Sequence, residues 1–149
     1  MKRIVLAGAL AAALGGVLAA ADGNEATARE VLGLERTTLD GWQMGNPDPL
    51  LAISDPDITY FHVVTDKRLD GLPAVRALFE GYRGRPLFDS YEMADPKVQS
   101  SGDTAILTYT LVRHVGTATT RWNATQVYQR KKEGWRIIHS HWSATRAEP

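Results

Sequence analysis

Apolar residues recur at helical spacing in the first half of the chain, where they predict three helices. The pattern predicts an amphipathic helix over residues 26–44, a short helix over 47–53 and a third over 72–82. Asn46 is suited to cap the second helix, and Gly84 closes the third. The apolar face of the first helix consists of Ala28, Val31, Leu32, Leu39 and Trp42.

Apolar and polar residues alternate in the other segments, as they do in β-strands. The segment "DITYFHVV" predicts a first strand with a brief partner, and four more strands follow, joined by the turns "SSGD", "VGTA" and "KKEG". Pro96 interrupts the first of these four and predicts a bulge or an edge. The order ααββαββββ predicts an α+β fold, a cone-shaped, curved antiparallel sheet wrapped around the N-terminal helices.

Alternation in the last strand, "GWRIIHSHWSATR", separates two faces that are both partly polar. The first face carries Trp135, Ile137, His139 and His141. The second face carries Arg136, Ile138, Ser140 and Trp142. Alternation alone does not decide which of the two faces lines a site.

The N-terminal segment has the three parts of a secretory signal peptide. Lys2 and Arg3 precede the apolar run "IVLAGALAAALGGVLAA", and small residues surround a cleavage site near Ala21. A membrane anchor is the weaker alternative, because the run is short and has no stop-transfer pattern. We therefore expect residues 1–21 to be removed. Residues 22–149 would then form one domain, periplasmic or secreted, without membrane contact.

Composition excludes several other classes of protein. The chain has no cysteine, which excludes disulfides and a lipid-anchored cysteine. Its formal net charge is +0, and no basic patch suggests a nucleic-acid partner. We find no nucleophile motif, Gly-rich phosphate loop or zinc signature, and we therefore expect neither a cofactor nor a metal.

Four segments carry a resemblance to a known family: "ISDPDITYF", "RLDGLPAVRALFE", "DPKVQSSGDTAILTY" and "TQVYQRKKEGWRIIHSHWS". They resemble the nuclear transport factor 2-like superfamily, which includes SnoaL-like and ketosteroid isomerase-like proteins. Within it they are most similar to the association (hub) domain of calcium/calmodulin-dependent protein kinase II and its bacterial stand-alone relatives. The resemblance implies a ligand site inside the cone and a homo-oligomer, dimeric or larger, formed through the outer face of the sheet.

The resemblance also assigns the two faces of the last strand. It implies that Trp142, Ser140 and Ile138 face the cavity, and that Trp135 lies on the opposite face with the histidines. The candidate ligand-binding residues are Trp42, Tyr60, Tyr109, Arg113, Trp122, Gln126, Ser140 and Trp142. The candidate interface residues are His114, Ile137, His139 and His141.

His62 is the best candidate for a general base, because the isomerase-like members place a catalytic aspartate after the matching strand. A cavity-lining histidine without catalytic function is the alternative. The hub domain binds small carboxylates through cavity arginines, but the matching positions here are Leu111, Gln126 and Trp142. Arg113 lies nearby and either meets an anion or extends from the rim into water.

These residues leave three functions open. The first is an exported domain that binds a small, mostly apolar molecule in its cone. The second is an isomerase, lyase or cyclase of the SnoaL or ketosteroid isomerase type, with His62 as base. The third is an oligomerisation hub without a ligand. The fold hosts all three functions and cannot choose among them.

Overall fold

The computed structural model describes the backbone of residues 10–145 and the side chains of residues 23–145. It confirms the predicted order of elements, ααββαββββ. The helices are α1 (Leu10–Gln43), α2 (Asp48–Ile53) and α3 (Leu72–Glu80). The strands are β1 (Ser54–Phe61), β2 (Leu69–Asp70), β3 (Ser90–Ser101), β4 (Thr104–Val115), β5 (Ala118–Lys131) and β6 (Gly134–Ala144).

The strands form one curved, unclosed sheet of six strands, in the order β2-β1-β6-β5-β4-β3. The last four strands are the predicted antiparallel meander. The sheet is not antiparallel throughout, because β1 pairs with β6 in parallel. This pairing joins the first strand of the chain to the last, and it places the end of β1 beside the interior positions of β6.

The core lies between the concave face of the sheet and one face each of α1 and α3. Val31 and Leu39 of α1 and Val75 and Phe79 of α3 have at most 2% of their surface exposed. These positions follow the apolar stripes that the sequence shows in both helices. The helices thereby close one side of the cone, and the sheet closes the other.

The predicted signal segment, residues 1–21, lies outside the residues whose side chains are described. The backbone of α1 begins at Leu10 and continues without a break into the predicted first helix. Across the described part of the chain, no helix is both long enough and apolar enough to cross a membrane.

A bulge in β3 lies where Pro96 predicts one. The register with β4 shifts between Ala94 and Lys97, and Asp95 has a φ of 50°. Proline has no N–H to donate to a ladder, so the pairing is interrupted at the residue that cannot continue it.

A second bulge, in β6, corrects the predicted faces of that strand. Ile137 pairs with Tyr128 and His139 pairs with Val127, so Ile138 is an extra residue opposite two consecutive partners. Alternation therefore reverses at Ile138. Trp135 and Ile137 are 5% and 0% exposed and face the core, whereas the prediction placed both on the outer face.

Ile137 is therefore not an interface residue, and Ile138, which is partly exposed, does not share the buried face of Ser140 and Trp142. The predicted orientations of Ser140, His141 and Trp142 agree with how far each side chain is buried. Ser140 and Trp142 are 0% and 9% exposed, and His141 is exposed.

The bulge predicts different costs for two neighbouring isoleucines. Ile137→Ala should lower the free energy of unfolding by about 2–5 kcal/mol, because it leaves a cavity in a closed core. Ile138→Ala should lower it by about 1 kcal/mol, because that side chain is only partly buried. Urea unfolding of both variants measures the difference, and equal costs would contradict the placement of the bulge.

Candidate functional site

A small cavity of about 40 Å³ lies between α1, α3 and the concave face of the sheet. This volume holds about two or three water molecules, and the cavity is open to solvent on one side, so a larger molecule would extend out of it. Nine of the lining side chains are aliphatic or aromatic, with a tyrosine hydroxyl and three indole N–H groups among them, and two are the polar side chains of His62 and Arg113. The lining residues are Leu39, Trp42, Tyr60, His62, Phe79, Leu87, Phe88, Leu111, Arg113, Trp122 and Trp142.

Aromatic rings in contact form the wall of this cavity. The ring centroids of Trp42 and Phe79 are 4.8 Å apart, and those of Tyr60 and Phe79 are 5.3 Å apart in an edge-to-face arrangement. Trp122 and Trp142 meet at 6.3 Å across β5 and β6. Such contacts favour tilted and edge-on geometries and hold the rings in place. The wall is therefore fixed by packing within the chain.

His62 is one of the two polar groups of the cavity and follows directly after the end of β1. The backbone N–H of Val64 donates to its Nδ1 at 3.3 Å. Burial, together with the charge of Arg113, lowers the pKa of His62 to about 4. At neutral pH the ring is therefore uncharged, with Nδ1 accepting and the proton on Nε2. In this state His62 is a weak base, and its Nε2–H has no hydrogen-bond partner among residues 23–145.

Arg113 is the second polar group of the cavity. Its Cζ lies 3.7 Å from the centroid of the Trp122 ring, and its Nε and Nη2 donate to the hydroxyl of Thr120 at 3.3 and 3.1 Å. Burial lowers its pKa from the usual value, but a guanidinium remains charged at any physiological pH. His62, Arg113, Trp122 and Leu87 are partly exposed and mark the mouth of the cavity, whereas the other lining residues are buried.

The structure brings together most of the residues that the sequence nominated for ligand binding. Trp42, Tyr60, Arg113, Trp122 and Trp142 line the cavity together with His62. Tyr109, Gln126 and Ser140 also face the interior but lie outside the lining. Ser140 accepts a hydrogen bond from Nε1 of Trp142 at 3.0 Å, and the other two lie further from the mouth along β4 and β5.

The three remaining interface candidates lie on the outer face of the sheet. His139 contacts the Thr59 hydroxyl at 2.7 Å, and His114 contacts that of Thr119 at 3.0 Å. His141 lies beside the ring of Phe61, which is 41% exposed and which sequence reasoning did not single out. Within residues 23–145 no three His, Cys, Asp or Glu side chains are grouped so that they could hold a metal ion.

A buried carboxyl group, Glu35, is the feature that sequence reasoning missed. Its side chain has no exposed surface. The hydroxyls of Tyr109 and Tyr128 donate to its two oxygens at 2.5 and 2.6 Å, and Nε2 of Gln126 donates at 3.2 Å. The Oε1 atom of Gln126 has no partner within the described part of the chain. We call these four residues the deep polar cluster.

A signal for Glu35 is present in the sequence. Glu35 lies four residues after Val31 and four before Leu39, so it interrupts the apolar face of α1 at helical spacing. Tyr109, Gln126 and Tyr128 all occupy inward positions of their strands. An acidic residue on the buried face of a helix, opposite inward polar residues, is the pattern of a buried hydrogen-bonded network.

Burial raises the pKa of Glu35, and the hydrogen bonds from Tyr109, Tyr128 and Gln126 oppose this rise. Burial also raises the pKa of both tyrosines well above its usual value. None of the groups that shift the pKa of Glu35 is a cation. The surroundings therefore favour the protonated carboxyl, which is neutral and can itself donate a hydrogen bond.

The comparisons with known proteins agree with this architecture. Residues 27–146 match the family described as calcium/calmodulin dependent protein kinase II association domain. The chain belongs to this family. A comparison with curated proteins finds no match.

The solved structures similar to this association domain include proteins described as enzymes and proteins described as hubs. A ketosteroid isomerase-like protein from Parabacteroides distasonis is 30% identical, with a TM-score of 0.71 over 78% of this chain and 86% of that one. The kinase II hub of S. rosetta is 27% identical, with a TM-score of 0.63 over 78% of this chain and 95% of that one. A nuclear transport factor 2-like protein from Pseudomonas putida, 24% identical with a TM-score of 0.74 over 83% and 89%, shows the same fold.

The interior of the association domain lacks the arginines that the resemblance to the hub implied at three positions. Of the three positions at which the hub would carry arginines, Leu111 and Trp142 form cavity wall, and Gln126 bonds to Glu35. No cationic side chain lies in the deep polar cluster. Charge in the described cavity is instead found at the mouth, on Arg113.

Glu35 predicts a decrease in stability towards alkaline pH. Its pKa in the folded state lies above the unfolded value, so its stabilising contribution is complete below pH 4.5 and is lost as the pH rises through the folded pKa. The wild type should therefore lose stability relative to Glu35→Gln as the pH is raised from 4.5 into the alkaline range, measured by urea unfolding. Tyr109 and Tyr128 remain protonated in this window because their pKa values are raised. A difference between the two proteins that does not change with pH would contradict the prediction.

Proposed function

We propose that this association domain binds a small, mostly apolar molecule in the cavity of its cone. The observation that carries the proposal is the composition of the cavity wall, which consists of aromatic and aliphatic side chains with His62 and Arg113 at the mouth. A concave, largely apolar site with a few polar groups is the usual form of a small-molecule site. Export, as residues 1–21 predict, would have it act outside the cytoplasm.

The enzymatic alternative has less support from the same residues. A general base needs a free nitrogen and a pKa near the working pH. The Nδ1 atom of His62 already accepts from Val64, and the pKa of the ring is lowered to about 4. Glu35 is a second candidate for proton transfer, but it lies outside the cavity lining and is enclosed by its partners. The geometry thus favours binding over proton transfer.

Cavity binding predicts a selective response of the four tryptophan indole N–H signals in a nitrogen-15 NMR spectrum. Benzamide, a neutral aromatic probe, should shift the signals of Trp42, Trp122 and Trp142, because these rings line the cavity. The signal of Trp135 should not shift, because its Nε1 donates to Glu30 at 2.7 Å away from the cavity lining.

A cavity-filling variant provides the control for this experiment. Leu111→Trp places a larger side chain in the lining and should abolish the shifts. Val115→Trp adds the same side chain at the end of the same strand, to a position that is 50% exposed, and it should leave the shifts unchanged. Uniform shifts of all four signals, or none, would contradict binding in the cavity.

We propose in addition that the domain assembles into a homo-oligomer through the outer face of its sheet. Phe61 and Ile106 are 41% and 38% exposed on this face, and His139 and His141 contact the Phe61 ring. Exposed apolar side chains in a sheet face are suited to a protein contact. The S. rosetta relative is described as a hub, which agrees with assembly.

The proposed interface predicts that Phe61→Glu lowers the molar mass of the protein in solution. The wild type should have the mass of at least two chains by light scattering, and the variant should approach one chain while it remains folded. Val115→Glu is the matched control, because Val115 is 50% exposed at the end of β4. A wild type with the mass of one chain would end the proposal, as would equal effects of the two variants.

A further inference from the structure

Exposed apolar side chains are concentrated at one end of the cone. Between residues 23 and 145, six large apolar side chains are exposed by 38% or more. Two of them, Phe61 and Ile106, lie on the outer face of the sheet. The other four are Met44, Val63, Val64 and Val115, which are exposed by 69%, 38%, 57% and 50%. We call these four residues the apolar rim.

The chain places the valines of the apolar rim beside the mouth of the cavity. Val63 and Val64 directly follow the lining residue His62, in the loop after β1. Val115 lies two residues after the lining residue Arg113, at the end of β4. Both segments therefore leave the sheet at the end where the cavity opens.

Met44 lies at the same end, because α1 also ends there. It follows the lining residue Trp42 by two positions. The next residue, Gly45, has a φ of 69°, and its carbonyl accepts from the N–H of Gly84 at 2.8 Å. This bond holds the end of α1 against the loop 81–89. The four exposed side chains thus come from three separate segments that only the fold brings to one end.

Basic residues outnumber acidic residues in the segments at this end, although the formal net charge of the whole chain is +0. The segments contain six arginine or lysine residues and only two acidic residues, Asp66 and Asp89. The carboxylate of Asp89 accepts from the N–H of Gly116 at 2.6 Å. The segments counted are 43–47, 62–68, 81–89 and 113–121.

Several of these cations have no carboxylate partner. Arg68 and Arg83 form ion pairs with carboxylates of neighbouring elements. Lys67, Arg85 and Arg113 form none within residues 23–145. The side chains of Lys67 and Arg85 are exposed. Positive charge that can meet an external anion therefore lies beside the apolar rim.

We infer that the mouth end of the cone docks on the surface of an anionic lipid bilayer, with the apolar rim inserted among the headgroups. Peripheral membrane proteins combine apolar side chains that enter the interface with cations that attract anionic lipids. The mouth of the cavity would then open onto the bilayer. The sequence led us to expect no membrane contact, because the residues of the rim are distant from one another in the chain.

A second copy of the chain is a less suitable occupant of this end. Two such ends would place an excess of positive charge on both sides of the contact, and like charges oppose association. The apolar rim is also divided among a helix end, a loop and a strand end, whereas the core of an oligomer interface is a closely packed apolar patch. A lipid interface can adapt to separate side chains.

The absence of cysteine from the chain allows one fluorescent label to be attached at a chosen position. Val64→Cys and Val115→Cys place nitrobenzoxadiazole, whose emission rises in an apolar environment, on the apolar rim. Ser101→Cys places it at the end of β3, remote from the mouth, as the control. Vesicles of equal parts phosphatidylcholine and phosphatidylglycerol should raise the emission at both rim positions and leave that at Ser101 unchanged.

A charge introduced into the apolar rim should weaken the docking. Val64→Glu removes an apolar group from the lipid interface and adds a negative charge, so it should lower the partition coefficient onto the same vesicles about tenfold or more. Ser101→Glu adds the same charge at the opposite end of the sheet and should have no effect. Sedimentation of the protein with the vesicles measures both.

The contribution of the cations is tested separately. Lys67→Gln combined with Arg85→Gln should lower the partition coefficient on the order of tenfold, because each cation near an anionic surface contributes to binding. Lys97→Gln combined with Lys132→Gln makes the same change of charge away from the mouth and should have little effect. The difference between the two double variants should vanish on vesicles of phosphatidylcholine alone.

Three results would overturn the inference. The first is a label response that is equal at Val64, Val115 and Ser101, or absent at all of them. The second is vesicle binding that Val64→Glu leaves unchanged, which would place the contact elsewhere in the chain. The third is a rim-label emission that rises with protein concentration without lipid, which would show that another copy covers this end. None of these results affects cavity binding, which the indole signals test.

Discussion

Glu35 is held between the first helix and the sheet by hydrogen bonds from two different strands, and this contact fixes where α1 lies in the cone. Tyr109 of β4 and Tyr128 of β5 donate to the two oxygens of one carboxyl group that has no exposed surface. A buried polar group left without partners is costly, so the helix cannot slide or rotate without losing these bonds. Leu39 and Trp42, one and two turns further along α1, are thereby placed in the cavity wall.

The deep polar cluster divides the interior into two parts with different physical character. Near the mouth, aromatic rings surround an open volume and the only charge of the described lining is Arg113. Further from the mouth, Tyr109 of β4 and Gln126 and Tyr128 of β5 fill the interior with hydrogen bonds to Glu35. Space for a ligand and the hydrogen-bonded polar cluster do not compete, because they occupy different depths of the cone.

The bulge in β6 has a comparable effect on the sheet. One extra residue, Ile138, changes which side chains face inward. Before it, Trp135 and Ile137 are buried in the core; after it, Ser140 and Trp142 are buried and His139 and His141 face outward. A strand of strict alternation would have sent Trp135 and Ile137 to the outer face together with the histidines. Because of the bulge, buried side chains both before and after Ile138 face the interior. The histidines of β6 and the neighbouring Phe61 lie on the outer face.

The sequence by itself determined the order of the elements, the fold class, the Pro96 bulge and most of the cavity lining, because periodicity, turn residues and proline act over a few neighbouring positions. It did not determine the faces of Trp135 and Ile137, since a bulge depends on how β6 pairs with β5, two segments that meet only after folding. It also did not reveal Glu35 as a partner of Tyr109 and Tyr128, which lie 74 and 93 positions away in the chain. Periodicity reports which side of an element is buried, whereas the tertiary structure alone decides what each buried group meets.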